Sequence, residues 1–204
     1  MTAETKVIPV ATTDRQERRR SWARHEILSV ALDLFERNGY DSTTVDDIAA
    51  AAGISPRTFF RYYESKLQLL LAHEHESTGF DGLLEARPPS ERPLDAVAHA
   101  VRQALVELVT NDELAVRQLK VALTTPSLRA ALIEHFHDNQ TELTPAFAVR
   151  LGTSENDLNA RVMASAVAGA IWTALEDWIG EGAAVDRLGT TLDKTFAALQ
   201  SGLA

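Results

Sequence analysis

From Ser21 onward, apolar residues recur along the chain at three- and four-residue intervals, and no run alternates with period two. That spacing predicts helices and no strands. A first helix spans Ser21 to Asn38 and stops at Gly39, with Ile27, Ala31, Leu34 and Phe35 on one face and Trp22 and Leu28 alongside. Two short helices follow. In the first, Val45, Ile48, Ala49 and Ala52 share a face, Thr43 or Thr44 can cap the start, and Asp46 and Asp47 sit in the first turn. Gly53 supplies the positive φ just past its end. Ser55 then caps the second short helix and Pro56 takes its first position, where no N–H is needed. There Phe59 and Tyr63 turn inward with Ile54, and Arg57, Thr58, Arg61 and Tyr62 are left facing outward. Leu67, Leu70 and Leu71 continue as a fourth helix to about Thr78.

Gly79, Gly82 and the segment ARPPSERP mark a loop and a domain boundary. Beyond it the pattern predicts helices over Leu94–Thr110, Asp112–Leu123, Ser127 to about Arg150, Asn156–Ile179 and Val185–Leu199. Pro145 falls inside the third of these as a kink. Residues 1 to about 18 lack periodicity and read as a disordered, basic-ended tail. The expectation is an all-α chain of about nine helices. A three-helix helix-turn-helix domain occupies 19–66, and a helical ligand-binding and dimerisation domain occupies 67–204.

A helix held by its apolar side while it presents arginine, hydroxyl and aromatic groups is what a DNA major groove requires. The stretch Thr43–Lys66, TTVDDIAAAAGISPRTFFRYYESK, together with the preceding ALDLFERNGYDSTT, resembles the TetR-type transcriptional regulators over about residues 22–70. The resemblance implies a dimer, pairing through the final two helices, whose heads read a pseudo-palindromic operator. It also implies a small molecule bound in the C-terminal body that lowers DNA affinity, with repression as the usual mode. Carried over residue by residue, Arg57 and Arg61 would meet base edges and Thr58 a base or thymine methyl. Thr44, Ser55, Tyr62 and Lys66 would serve the phosphates, with Thr43 also among the DNA-binding positions. Two positions depart from the family, which often has tyrosine at Phe60 and histidine at Tyr62. Phe60 can make only an apolar contact. The FFRY helix is most similar to a branch that includes regulators of the mycofactocin system, which suggests an acyl-CoA-like ligand.

The net charge of the 204-residue chain, −9, opposes DNA binding when taken as a whole. Its first 75 residues, however, hold 10 Lys/Arg against 11 Asp/Glu, so the acidic excess lies downstream. Arg15, Arg18, Arg19, Arg20 and Arg24 face Glu17 alone over their own stretch. Arg18, Arg19 and Arg20 are therefore candidates for phosphate or minor-groove contact, against the plain reading of a solvated charge run. Cysteine is absent, which removes disulfides, thiolate metal sites and a cysteine nucleophile. The N-terminus shows no signal-peptide core, and the apolar stretch Met163–Leu175 is shorter than the ~20 residues a membrane crossing needs. A cytoplasmic protein is expected.

In the body, candidate ligand-pocket residues are Leu119, Leu123, Phe136, Phe147, Met163, Val167 and Trp172, with ordinary core as the plain alternative. His135 and His137 are candidate polar anchors. Ala166, Gly169, Ala170, Thr173 and Trp178, with Leu188, Leu192 and Phe196 of the last helix, would bury their surplus apolar surface across a two-fold axis. No cofactor or metal is expected, and His73 and His75 are too close in sequence to chelate on a helix. An enzyme is not expected either: HExxH, GxSxG and a glycine-rich phosphate loop are missing, and Glu176 and Asp177 diverge on a helix. A DNA-binding protein without a ligand is the other alternative.

Overall fold

The computed structural model describes residues 10–71 and 80–202, with side chains described from residue 18 onward except those of 81 and 135–142. The chain divides into two compact units, Met1–Glu74 and His75–Ala204. Among the described residues there are ten α-helices, one turn of 3-10 helix and no strands.

The first unit contains α1 (Val10–Asn38), α2 (Val45–Ala51), α3 (Pro56–Tyr62) and α4 (Lys66–Leu71). Its core is assembled from one face of each: Ile27, Leu28, Ala31, Leu32 and Phe35 of α1, Ile48 and Ala49 of α2, Phe59 and the adjoining Tyr63 of α3, and Leu69 and Leu70 of α4. The first helix starts at Val10, so the tail expected over 1–18 is helical from there on. Its TTDRQERRR segment has no apolar face to announce a helix, yet Arg, Gln and Glu lose little rotamer freedom in one. Residues 1–9 lie outside the described residues, as do His73, His75 and the expected end of the fourth helix. The break expected after Lys66 falls inside the first unit, at the start of α4.

The second unit holds α5 (Phe80–Glu85), α6 (Pro93–Asn111), α7 (Glu113–Thr124), the 3-10 turn Pro126–Leu128, α8 (Arg129–Leu151), α9 (Leu158–Gly180) and α10 (Val185–Gln200). Helix α5 replaces part of the loop expected around Gly79 and Gly82. Gly82 and the following prolines masked the spacing of Phe80, Leu83 and Leu84, which is helical. Pro145 does lie within α8. Helix α9 is the central rod, packed against α8 on one side and α10 on another, with α6 also against α10. By length and composition it could cross a membrane, since it is longer than the stretch counted from sequence. Its Ala160, Ala164, Val167, Ala168, Ala174 and Trp178 are instead buried in the core of this unit. The turn into α10 is pinned by the Trp178 indole N–H, which donates to the Ala184 carbonyl at 2.7 Å.

Candidate functional site

The helix-turn-helix is built from backbone caps before any DNA is considered. Thr44 is the N-cap of α2: its hydroxyl accepts from the Asp47 N–H at 3.1 Å, and its own N–H donates to the Asp47 carboxylate at 2.9 Å. This is a reciprocal capping box that satisfies two donors the helix start would leave open. The Thr44 hydrogen bonds hold the Asp47 carboxyl below its usual range. Gly53, at φ +65°, turns the chain, and Ile54 N–H closes back on the Ala49 carbonyl at 2.9 Å. Ser55 then caps α3, accepting from the Thr58 N–H at 3.1 Å and pairing with the Thr58 hydroxyl at 2.9 Å.

With its ends fixed, α3 is held by one side. Phe59 and Tyr63 are buried, and the Tyr63 hydroxyl donates to the Arg24 carbonyl of α1 at 3.1 Å. The outward side presents Arg57 and Arg61, which are exposed, with Thr58 and Tyr62 half-buried and Phe60 55% exposed. Arg61 lies over the Tyr62 ring at 4.9 Å and donates to the Tyr62 hydroxyl at 3.1 Å, so the stacked guanidinium is already oriented. Arg18, Arg19 and Arg20 are exposed on the N-terminal part of α1.

Two expected DNA-binding positions, Thr43 and Lys66, are engaged within the head itself. Thr43 is only 1% exposed, and its hydroxyl donates to the Gly39 carbonyl at 2.9 Å, closing the α1–α2 turn. Lys66 points back into the head. Its ammonium donates to the carbonyls of Tyr40 at 2.6 Å and Thr43 at 2.7 Å, and sits 4.0 Å from the centre of the Tyr40 ring. Burial pushes the Lys66 pKa down, while the nearby Asp41 carboxylate opposes the shift. Tyr40 is a partner that sequence reasoning missed. It lies 26 residues from Lys66, and no local periodicity links the two.

In the body, none of the expected pocket residues lines the groove described between α5 and α8. Phe147 and Val167 are fully buried in the core, with Leu119 and Met163 packed against it, while Leu123 and Trp172 are half-buried. The side chains of His135, Phe136 and His137 lie outside the described residues. That groove, of about 520 Å³, lies elsewhere in the body. Phe80, Leu84, Pro89, Pro145, Ala146 and Val149 form its apolar lining, with Glu85, Arg87 and Arg150 beside them. A volume in this range suits a small molecule.

The expected dimer residues also divide. Trp178, Leu188, Leu192, Phe196 and Ala170 are buried within the body itself. The reason is that α10 has only one apolar face, and that face is already covered by α6 and α9. Thr173 is exposed, and Ala166 and Gly169 are half-buried. They continue a stripe begun by Leu158, 69% exposed, and Val162, 57% exposed, which sequence reasoning passed over. Their positions follow helical spacing along one side of α9.

A capped, outward-facing recognition helix in a compact helical head, followed by a separate helical body, defines a helix-turn-helix transcriptional regulator. Residues 27–73 match the family model described as bacterial regulatory proteins, tetR family, and residues 91–204 match the MftR C-terminal domain. This chain belongs to the TetR family. It is 31% identical over 197 residues to the mycofactocin biosynthesis transcriptional regulator MftR of Mycobacterium tuberculosis, covering 88% of this chain and 96% of that one. It is 32% identical over 164 residues to the HTH-type transcriptional regulator TcmR of Streptomyces glaucescens, covering 76% and 72%. These relatives are transcriptional regulators and not enzymes. Among solved structures, the fatty acid degradation regulator FadR from Bacillus halodurans has a similar fold, with TM-score 0.61 at 17% identity over 89% of this chain and 96% of that one. FadR from Bacillus subtilis, solved in complex with stearoyl-CoA, gives 0.56 at 18% identity over 84% and 97%.

Proposed function

We propose that this chain is a cytoplasmic repressor that binds a pseudo-palindromic operator as a homodimer and leaves it when a small hydrophobic or acyl-CoA-like ligand occupies the body. The observation that carries the reading is the outer face of α3. Arg57 and Arg61 are exposed there on a helix whose other side is locked by Phe59 and Tyr63. Arginine can donate two parallel hydrogen bonds to a guanine edge, which makes these two the base readers. Thr58 and Phe60 are offered to bases or methyl groups. Thr44, Ser55 and Tyr62 are offered to phosphates, with Arg18, Arg19 and Arg20 tracking the backbone further out.

For the dimer, the stripe of Leu158, Val162, Ala166, Gly169 and Thr173 along α9, exposed at Leu158, Val162 and Thr173 and half-buried between, replaces the residues already consumed by the core. Small residues there would let a second copy approach closely, and a two-fold pairing buries the same face of both copies. The ligand class is supported by the likeness to the MftR C-terminal domain and to a FadR solved with stearoyl-CoA. Ligand binding and operator binding would be coupled through different body conformations.

Selection from a random DNA duplex pool, at about 150 mM salt to suppress non-specific phosphate binding, tests the reading. An enriched palindrome with half-sites about one helical turn apart is expected. Salt-sensitive binding to every sequence, without enrichment, would reduce the arginine face to a general phosphate patch.

A further inference from the structure

The two arginines on the outer face of α3 are not equivalent. The Arg57 side chain, exposed to solvent, has no hydrogen bond among the described residues. Arg61 is exposed as well, yet it is already held. Its guanidinium carbon lies 4.9 Å from the centre of the Tyr62 ring, and Nη2 donates to the Tyr62 hydroxyl at 3.1 Å. Neighbours in sequence point about 100° apart on a helix, so the backbone does not impose this contact. The two side chains turn toward each other, and Tyr62, half-buried as the last residue of α3, is the fixed member of the pair. A guanidinium carries five N–H donors, and one given to Tyr62 leaves enough for the two parallel bonds that a guanine edge accepts. The Tyr62 oxygen serves here as an acceptor, which keeps its hydrogen to donate. Beside a helix lying in a major groove, the abundant acceptors are phosphate oxygens.

We propose that Tyr62 is a positioning residue for sequence reading: its ring and hydroxyl steer Arg61 to one base edge, and the same hydroxyl donates to a phosphate. The inference deepens the operator-reading function and rests on it. Arginine surrenders considerable side-chain freedom when it docks on a base, and a guanidinium stacked beforehand surrenders less. Hydrogen bonds in series polarise one another. The bond from Arg61 makes the Tyr62 O–H a better donor to the phosphate, and the phosphate bond makes Tyr62 a better acceptor. One base preference in each half-site therefore depends on a side chain that meets no base. Arg57 has no such brace, and the preference it sets is independent of Tyr62.

The test measures equilibrium binding of the full chain to the selected operator and its single base-pair variants, at about 150 mM salt. Arg61→Ala and Arg57→Ala locate the base pair each arginine reads, as the position in each half-site where discrimination falls about tenfold. Tyr62→Phe keeps the ring and removes the hydroxyl. It should lower discrimination about three- to tenfold at the Arg61 position alone and leave the Arg57 position as in the wild type. In the Arg61→Ala background, the same change should cost affinity equally on every duplex and alter no preference. The slope of affinity against salt should stay unchanged in Tyr62→Phe, since a hydroxyl contact releases no counterion. Arg61→Lys, at an exposed position that spares the fold, keeps the charge without the planar fork and should lose the same preference. Tyr62→Phe that weakens every duplex alike would overturn the proposal and leave Tyr62 a plain phosphate contact. Equal loss at the Arg57 position would overturn it too, since the whole helix would then have moved. So would an Arg61→Ala variant with every preference intact. Those outcomes leave the regulator reading standing, because a preferred operator is in hand. A pool that yields no preferred sequence removes that reading and this one together.

Discussion

The head and the body hold similar kinds of side chains to opposite ends. In the head, the groups that matter for recognition are those the core rejects: Arg57, Arg61 and Phe60 stand outside because Phe59 and Tyr63 are inside. In the body, the apolar groups that looked available for a partner or ligand are those the core takes: Trp178, Leu188, Leu192 and Phe147 are fully buried. Polar residues on a helix held from behind have one direction to point. Apolar residues on a helix with several neighbours have several, and sequence does not say which neighbour claims them.

The sharpest way to break this contrast is Trp178→Ala. If the residue belongs to the body core, its loss destabilises folding by about 3–5 kcal/mol, read by denaturant unfolding. If it served a dimer face, the subunits would separate while the monomer fold kept its stability. Arg57→Ala tests the head from the other side. It should cost about 1–3 kcal/mol of operator affinity and relax sequence preference, with the unfolding midpoint unchanged. Loss of stability in its place would put Arg57 in the structure rather than in recognition. Lys66→Met crosses the two cases, because a residue expected at a phosphate is tied to Tyr40 and Thr43. Losing its donors should cost about 1–3 kcal/mol of folding stability. A variant of native stability that binds all DNA more weakly would return Lys66 to the phosphates.

The smallest effect concerns the start of α2. Thr44→Ala should cost about 1 kcal/mol through the lost cap. The same box carries a pH signature. Because the Asp47 pKa is depressed in the folded state by its Thr44 hydrogen bonds, its stabilising contribution is complete above the ordinary aspartate pKa and fades as pH falls through the lower folded value. Comparing acid unfolding of the wild type with Thr44→Ala should show the gap between the two curves narrowing toward the acid end, as the bond from the Thr44 hydroxyl to the Asp47 carboxylate is lost, while the part owed to the cap on the Asp47 N–H persists. A gap that stays constant down to low pH would contradict that hydroxyl–carboxylate bond.

What could be read from sequence follows the same contrast. The recognition unit was legible because its signals are local: caps at Thr44 and Ser55, the glycine turn at Gly53, and apolar positions one helical turn apart. The extension of α1 to Val10 was not, since a polar helix carries no hydrophobic period. Helix α5 was hidden by its glycine and the prolines after it, and the Lys66–Tyr40 and Arg150–α5 contacts join residues far apart in the chain. The α5–α8 groove went unseen for that last reason. Its lining is gathered from two segments more than fifty residues apart.

The Lys66 bonds also say where this protein can be cut and rejoined. Every partner described for its ammonium lies upstream of it, at Tyr40 and Thr43. Joining this head to another regulator's body ahead of Lys66 would take the ammonium from both carbonyls of the α1–α2 turn, leaving that of Tyr40 with only the Thr43 N–H. A junction after Leu71 carries the lysine along with its acceptors, and that is where a chimera should exchange heads.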